Sequence, residues 1–386
     1  MKRRTLLQAA SMASIAPLGF AARNLLAADA ASVPVRRLLL VELNGGNDGL
    51  NTLIPYADPL YLQLRPQLAV ARDQVLQLDE HVGFNPALAA LMPLYAAREL
   101  ALVQGLGYAR ANRSHFRSIE IWDTATDSDK IGTDGWLSRL DVQRRFGRSF
   151  AADAVVIGRN PKPATGADMQ PVVMGDADSF VSESRGVEAM KSASDNPALK
   201  HILAVQRDIQ AAGHELSSSR PSPAGDFPKS PFGRDASEAA RLLIGNPATP
   251  IVKIALTGFD THVMQRGRQD GLLKQFGDTM AALRTAFTSA GIWKDTLIVT
   301  YSEFGRRAQQ NASGGTDHGK AAPHFVIGGA VKGGLYGEPP RFAKLDDGDV
   351  PATIDYRCVY NTVLGRWWNA GDAQIEPQRF KPLALV

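Results

Sequence analysis

The sequence predicts an α/β protein: a mostly parallel central sheet with helices on both faces. Short apolar, β-branched runs recur along the chain, helical patterns lie between several of them, and the runs are apolar throughout rather than alternating. Strands buried on both faces need helical cover above and below, which an alternating β and α order supplies. A chain of 386 residues with 44% hydrophobic content has the length to bury so large a core.

The first segment, 1–30, reads as an address rather than as structure. Lys2-Arg3-Arg4-Thr5-Leu6-Leu7 precedes a weakly apolar stretch from Ala9 to Ala22, and small residues follow around Ala28-Asp29-Ala30. Ser11, Ser14 and Pro17 interrupt that stretch, which falls short of the ~20 continuous apolar residues of a spanning helix. The expectation is a twin-arginine signal peptide, export in the folded state to the periplasm or beyond, and no stable membrane span once the signal is removed. Cargo of this route often carries a metal or cofactor already inserted.

The remaining domain, 31–386, carries seven predicted strands: Arg37 to Leu43, Glu99 to Gln104, Ala154 to Gly158, Pro171 to Met174, Ile251 to Leu256, Leu297 to Tyr301 and His324 to Ile327. Leu272, Leu273, Phe276, Met280, Leu283 and Phe287 make a helical core stripe. A helical insertion with a Pro- and Ser-rich loop is expected at about 179–234, where Ser217-Ser218-Ser219, Pro221, Pro223, Pro228 and Pro231 cluster.

Charge and cysteine content narrow the function. Without the signal the net charge of +4 falls to +1, so the basic surface that nucleic acid requires is missing. Cys358 is the single cysteine and forbids an intramolecular disulfide, leaving stability to the core.

Ligands of parallel sheets bind beyond the carboxyl ends of the strands. Polar clusters stand at four such places: Asn44-Gly45-Gly46-Asn47-Asp48-Gly49-Leu50-Asn51, Asp260-Thr261-His262, Ser302-Glu303-Phe304-Gly305-Arg306 and Thr316-Asp317-His318-Gly319. Asp260 and His262, two apart, point the same way in extended chain, as two ligands of one ion must. With His318 they offer a carboxylate and two imidazoles, a set suited to Zn²⁺ or Mn²⁺; Asp48, Glu303 and Asp317 complete the shell or serve a second ion. The competing account is a hydrogen-bonded Asp260–His262 turn and loop-capping Asp317 and His318. His81, His201 and His214 read as surface residues and His324 as a core histidine. Ser114 caps the helical run Ile119-Glu120-Ile121-Trp122; it serves either as a cap alone or as a hydroxyl nucleophile at a helix N-terminus, with Arg113 beside it.

The motifs Gly45 to Asn51, Ser114-His115-Phe116, Phe259-Asp260-Thr261-His262, Ser302 to Arg306 and Gly315 to Gly319 resemble, in that order, those of the exported bacterial domain-of-unknown-function family 1501, which looks like part of the alkaline-phosphatase-like superfamily of sulfatases and phosphatases. The resemblance implies a three-layer sandwich, a first metal held by Asp260, His262 and His318, and Ser114 as nucleophile. Two departures stand out. Phe304 replaces an imidazole of the second metal's pair, which leaves one ion as the expectation, and Asn44 stands after the first strand with Asp48 four residues on, so either is a candidate for the superfamily's aspartate there. The function implied is a metal-dependent hydrolase of phosphate or sulfate esters, small-molecule or glycan, with Arg306 and Arg113 steadying the oxygens of the transferred group. The alternative is a non-catalytic exported protein binding a glycan or a partner protein on the same fold.

Overall fold

A computed structural model describes residues 34–148, 150, 152–169, 171–175, 177–185, 213, 222–244 and 249–386. The expected signal, 1–30, and most of the expected insertion lie outside them. At the edges of the insertion stand a helix at Ala177–Arg185, an irregular stretch over 222–230, and a helix that begins at Pro231, where its missing N–H costs nothing.

All seven predicted strands form, and they belong to one sheet. These are β1 (Arg37–Asn44), β5 (Leu100–Gly107), β6 (Val155–Ile157), β7 (Val172–Met174), β8 (Ile251–Thr257), β9 (Thr296–Tyr301) and β10 (Ala322–Ile327). Short strands β11 (Gly334–Tyr336) and β12 (Ile354–Asp355) join it, and β2 (Leu53–Ile54), β3 (Leu76–Gln77) and β4 (Gly83–Phe84) make a separate three-stranded sheet. The main order is β11-β5-β10-β9-β1-β8-β6-β7, with β12 also beside β5. β10 runs antiparallel to both β5 and β9, and every other pairing in this main sheet is parallel. Because β10 is reversed, the loop entering it lies at the edge where the other strands end.

Alternate residues of β1 explain the continuous apolar run: Leu39, Val41 and Leu43 enter one core and Leu38 and Leu40 the other. The first core is covered by the helices Pro231–Ile244 and Gln265–Ser289; the latter buries Leu273, Phe276, Met280, Leu283 and Phe287, most of the predicted stripe. The second is covered by the helix His115–Thr124 and the segment around Tyr356, Tyr360 and Trp367. None of the helices among the described residues is long and apolar enough to cross a membrane.

One polar network interrupts the second core. Lys253 Nζ donates to Glu42 Oε2 at 2.6 Å, Asn160 donates to Asp123 at 3.0 Å, and the Tyr301 hydroxyl lies 3.2 Å from both Glu42 and Asp123. Burial would raise Glu42, but Lys253 outweighs it and keeps that carboxylate ionised. Burial, reinforced by the Glu42 charge, pushes Asp123 up to about 8. Folded Asp123 therefore keeps a proton that the unfolded chain, with its ordinary value of 3.8, has lost. Its contribution to stability is full below about 4 and disappears as pH rises through about 8. Asp123→Asn is expected to flatten the fall in melting temperature across that window; an unchanged pH slope in calorimetry would count against a protonated Asp123.

Candidate metal centre at the carboxyl ends of the sheet

Five loops meet beyond the ends of β1, β5, β8 and β9 and before β10. Gly45 and Gly46, at φ +113° and +79°, turn the chain sharply after β1. A Cβ at Gly45 would stand 2.4 Å from the Asp260 nitrogen, so the loop that carries Asp260 packs directly on this turn. The Arg306 guanidinium locks the two together. It is fully buried and donates to the carbonyls of Gly45, Gly46 (2.7 Å), Phe259 (2.9 Å) and Thr316 (2.8 Å), and to Asp260 Oδ1 (2.8 Å).

Around Asp260 stand three imidazoles. His262 Nε2 lies 3.0 Å and His318 Nε2 3.1 Å from Asp260 Oδ1, and the two Nε2 atoms are 2.9 Å apart. His115 Nε2 lies 3.5 Å from Asp260 Oδ2. The Nδ1 atom of each ring has its own acceptor: Glu303 Oε1 at 2.9 Å from His115, Asp317 Oδ1 at 3.2 Å from His262 and the Arg113 carbonyl at 2.8 Å from His318. A carbonyl and a carboxylate cannot donate, so they assign the proton to Nδ1 and leave Nε2 bare in the neutral ring. In the neutral tautomers the His262 and His318 lone pairs then face each other and Asp260 across about 3 Å, an arrangement that calls for a cation between them. Ligands 2.0–2.1 Å from a tetrahedral Zn²⁺ are themselves about 3.3 Å apart, so Asp260, His262 and His318 fit one such ion, and His115 joins Asp260 and His318 with ligand atoms all within 4.8 Å of one another.

The charges agree with this reading at Asp260 and His318, whereas His115 is biased toward the imidazolium and would release a proton on ligation. Burial would raise Asp260, but the hydrogen bond and charge of Arg306 hold it down at about 2. Burial lowers His318, against its Nδ1 bond to the Arg113 carbonyl, which favours the neutral ring that ligation needs. The Glu303 hydrogen bond raises His115, against burial and with the help of the Glu303 and Asp260 charges.

The structure thus brings together Asp260, His262 and His318 and adds His115, which reading Ser114-His115-Phe116 for the Ser114 hydroxyl, as cap or nucleophile, overlooked. His115 opens the helix His115–Thr124 at the end of β5's exit loop; its sequence signal was a histidine in the same short motif. Glu303, 1% exposed, and Asp317 stand behind His115 and His262 as orienting partners, rather than as ligands in their own right. Asp48 is not in the cluster: it is buried against Arg65 at 2.6 Å, is bonded to Gln265, and accepts the Leu50 amide, so its oxygens are committed to the core. Asn44 binds Glu42 through its amide and likewise stays outside. Arg306 is spent on carbonyls and Asp260, and Arg113 on Asp347 and Asp349, so neither guanidinium is free for the oxygen-steadying role expected of it. Ser114 is exposed between Arg113 and His115, and its hydroxyl makes no capping bond. His324 is a buried core residue, pushed down to about 3 by burial.

Fold and site together define an α/β protein with a histidine-carboxylate centre at the carboxyl edge of its sheet. Residues 190–378 match the family described as protein of unknown function (DUF1501), the family that the motifs resemble. No curated protein sequence matches. Among solved structures, similarity is found to a protein in the alkaline phosphatase superfamily from Vibrio parahaemolyticus (TM-score 0.38, 11% identity, 90% of this chain and 71% of that one). It is also found to a phosphonate monoester hydrolase of Agrobacterium radiobacter (0.40, 13%, 86% and 74%) and to the sulfatase PsFucS1 from Pseudoalteromonas sp. (0.38, 12%, 94% and 74%).

Replacing Arg306 by Lys removes the planar fork that reaches several acceptors at once. The variant is expected to lose about 3–5 kcal/mol, as for a broken buried pair. Urea unfolding reads this directly; a midpoint close to that of the parent protein would refute the locking role.

Proposed function

We propose that the chain is an exported hydrolase of phosphate or sulfate esters that works with a single divalent ion, Zn²⁺ or Mn²⁺. The observation that carries this reading is the convergence of three Nε2 atoms on one ionised carboxylate, each ring fixed from behind by its own Nδ1 acceptor. Asp260, His262, His318 and His115 would hold the ion, and Phe304, which offers no donor where the resemblance puts an imidazole of a second metal's pair, leaves a single ion. When bound, the ion would act as a Lewis acid toward an ester oxygen and the attacking group. Asp260 stays ionised throughout the neutral range, and Arg306 keeps it aimed. The Ser114 hydroxyl, at the N-terminus of a ten-residue helix and free of a capping bond, is the proposed nucleophile. The half-exposed rings of His115 and His262 keep the centre open to solvent and to a small-molecule or glycan ester.

A second reading follows from the same count: four protein ligands close a tetrahedral shell, as in structural sites. Metal analysis of the exported protein, with His262→Ala and His318→Ala beside it, separates the outcomes. Near-stoichiometric metal lost in both variants, together with turnover of p-nitrophenyl phosphate or sulfate that Ser114→Ala abolishes, is expected. Bound metal without turnover points to the structural or binding-protein reading, and a metal-free parent protein sinks both. Glu303→Gln is expected to weaken metal binding by about 10–100-fold.

Export by the twin-arginine route to the periplasm or beyond is part of the proposal. Replacing Arg3 and Arg4 by Lys should leave the protein in the cytoplasm; unimpeded export on cell fractionation would exclude that route.

A further inference from the structure

Beside the metal centre, and used by none of the chemistry above, a crevice of about 520 Å³ opens at the ends of β1, β8 and β6. That is within the size range of small-molecule sites, and it lies at the edge where parallel sheets bind ligands. Glu42, 3% exposed, lines it, and both its oxygens are already engaged, by Asn44 on one side and by Lys253, Tyr301 and Asn160 on the other. This built floor fixes the amides: Asn44 and Asn160 spend their N–H donors on buried carboxyls, and so each keeps its Oδ1 as an acceptor. Asn160 holds this orientation from φ +62°, a left-handed conformation that costs about 1 kcal/mol or more and persists only where its surroundings impose it.

The rest of the lining continues the pattern. Asp235, half-buried on the helix Pro231–Ile244, adds a carboxylate, Gln275 on the helix Gln265–Ser289 adds an amide, and Phe232 and Leu272 give apolar contact. With Glu42 paired to Lys253, and with Arg159 in the lining to balance Asp235, the crevice carries no excess charge to hold a phosphate or a sulfate, while the two amide oxygens and Asp235 accept from hydroxyl groups and Arg159 donates to them. The crevice also shares its supports with the metal centre. Asn44 leads directly into Gly45, whose amide donates to Glu303 Oε1 behind His115, and Thr257 stands three residues before Asp260.

We propose that this crevice binds the neutral, hydroxyl-rich part of the substrate, a sugar, while the charged ester group lies at the metal centre. The assignment of the charged end rests on the hydrolase reading; the sugar site itself stands on the crevice.

Saturation-transfer NMR with neutral disaccharides at millimolar concentration (lactose, cellobiose, maltose and chitobiose) tests it on the exported protein. The variants are Asp235→Ala and Gln275→Ala, each checked for an unchanged melting temperature, with His262→Ala as the control for the metal centre. Binding of at least one disaccharide that survives His262→Ala and weakens about tenfold or more in Asp235→Ala or Gln275→Ala is the expected result. It would hold even if the protein proved free of metal and inactive on esters, so the two readings fail separately. Binding lost in His262→Ala but kept in both crevice variants overturns the proposal, as does the absence of binding to the parent protein.

Discussion

The site depends on one buried guanidinium. Arg306 reaches the carbonyls of the turn after β1, of Phe259 after β8 and of Thr316 before β10, while it sits itself in the loop after β9. Carbonyl groups at such loop ends lie outside the strand ladders, and each one left buried and unpaired costs about 1–3 kcal/mol, although that of Phe259 also accepts from the Thr261 amide. A single planar cation with several donors satisfies them together and also neutralises Asp260. The same contacts that hold four loops in place therefore aim the carboxylate on which the imidazoles converge. The turn at Gly45 and Gly46 is the counterpart: side chains there would run into the Asp260 backbone and the Phe304 ring.

Phe304 gives the centre its character. Its buried ring stacks on His318, with centroids 4.3 Å apart at 29°, and lies 4.9 Å from the His115 ring. An aromatic face fixes both imidazoles without competing for a cation as a ligand. The carboxylate just before it, Glu303, turns back to hold His115 and the Gly45 amide, so the pair Glu303-Phe304 supports the imidazole cluster.

Much of the fold was legible from local pattern, because strands covered on both faces must be apolar throughout and a buried helix face must repeat at 3.6 residues. The Asp260–His262 pair was legible as two candidate ligands two residues apart, but for another reason than the one expected: the chain there is a tight turn, with the Thr261 amide donating to the Phe259 carbonyl, and not extended. Other features left no such trace. His115 sits in the first turn of a helix, where a histidine looks like any solvated residue until β9 delivers Glu303 to it. Asp48 belongs to a polar motif as suggestive as that of Asp260, but Arg65, seventeen residues on, draws it into the core. Glu42 and Lys253 lie inside apolar runs and pair only because β1 and β8 are neighbours.

By itself the sequence determined the α/β class, the strands and the main helix, the polar clusters at the strand ends and the family resemblance, for these follow from residue type, order and short-range periodicity. The tertiary structure alone decided which polar groups face one another. A reversed β10 brings His318 to the carboxyl edge, Arg306 turns Asp260 toward it, and the buried pairs withdraw Asp48 and Arg306 from the roles their motifs suggested. Hydrogen bonds and ion pairs act over about 3 Å and are indifferent to distance along the chain, so their partners are set by how the layers pack.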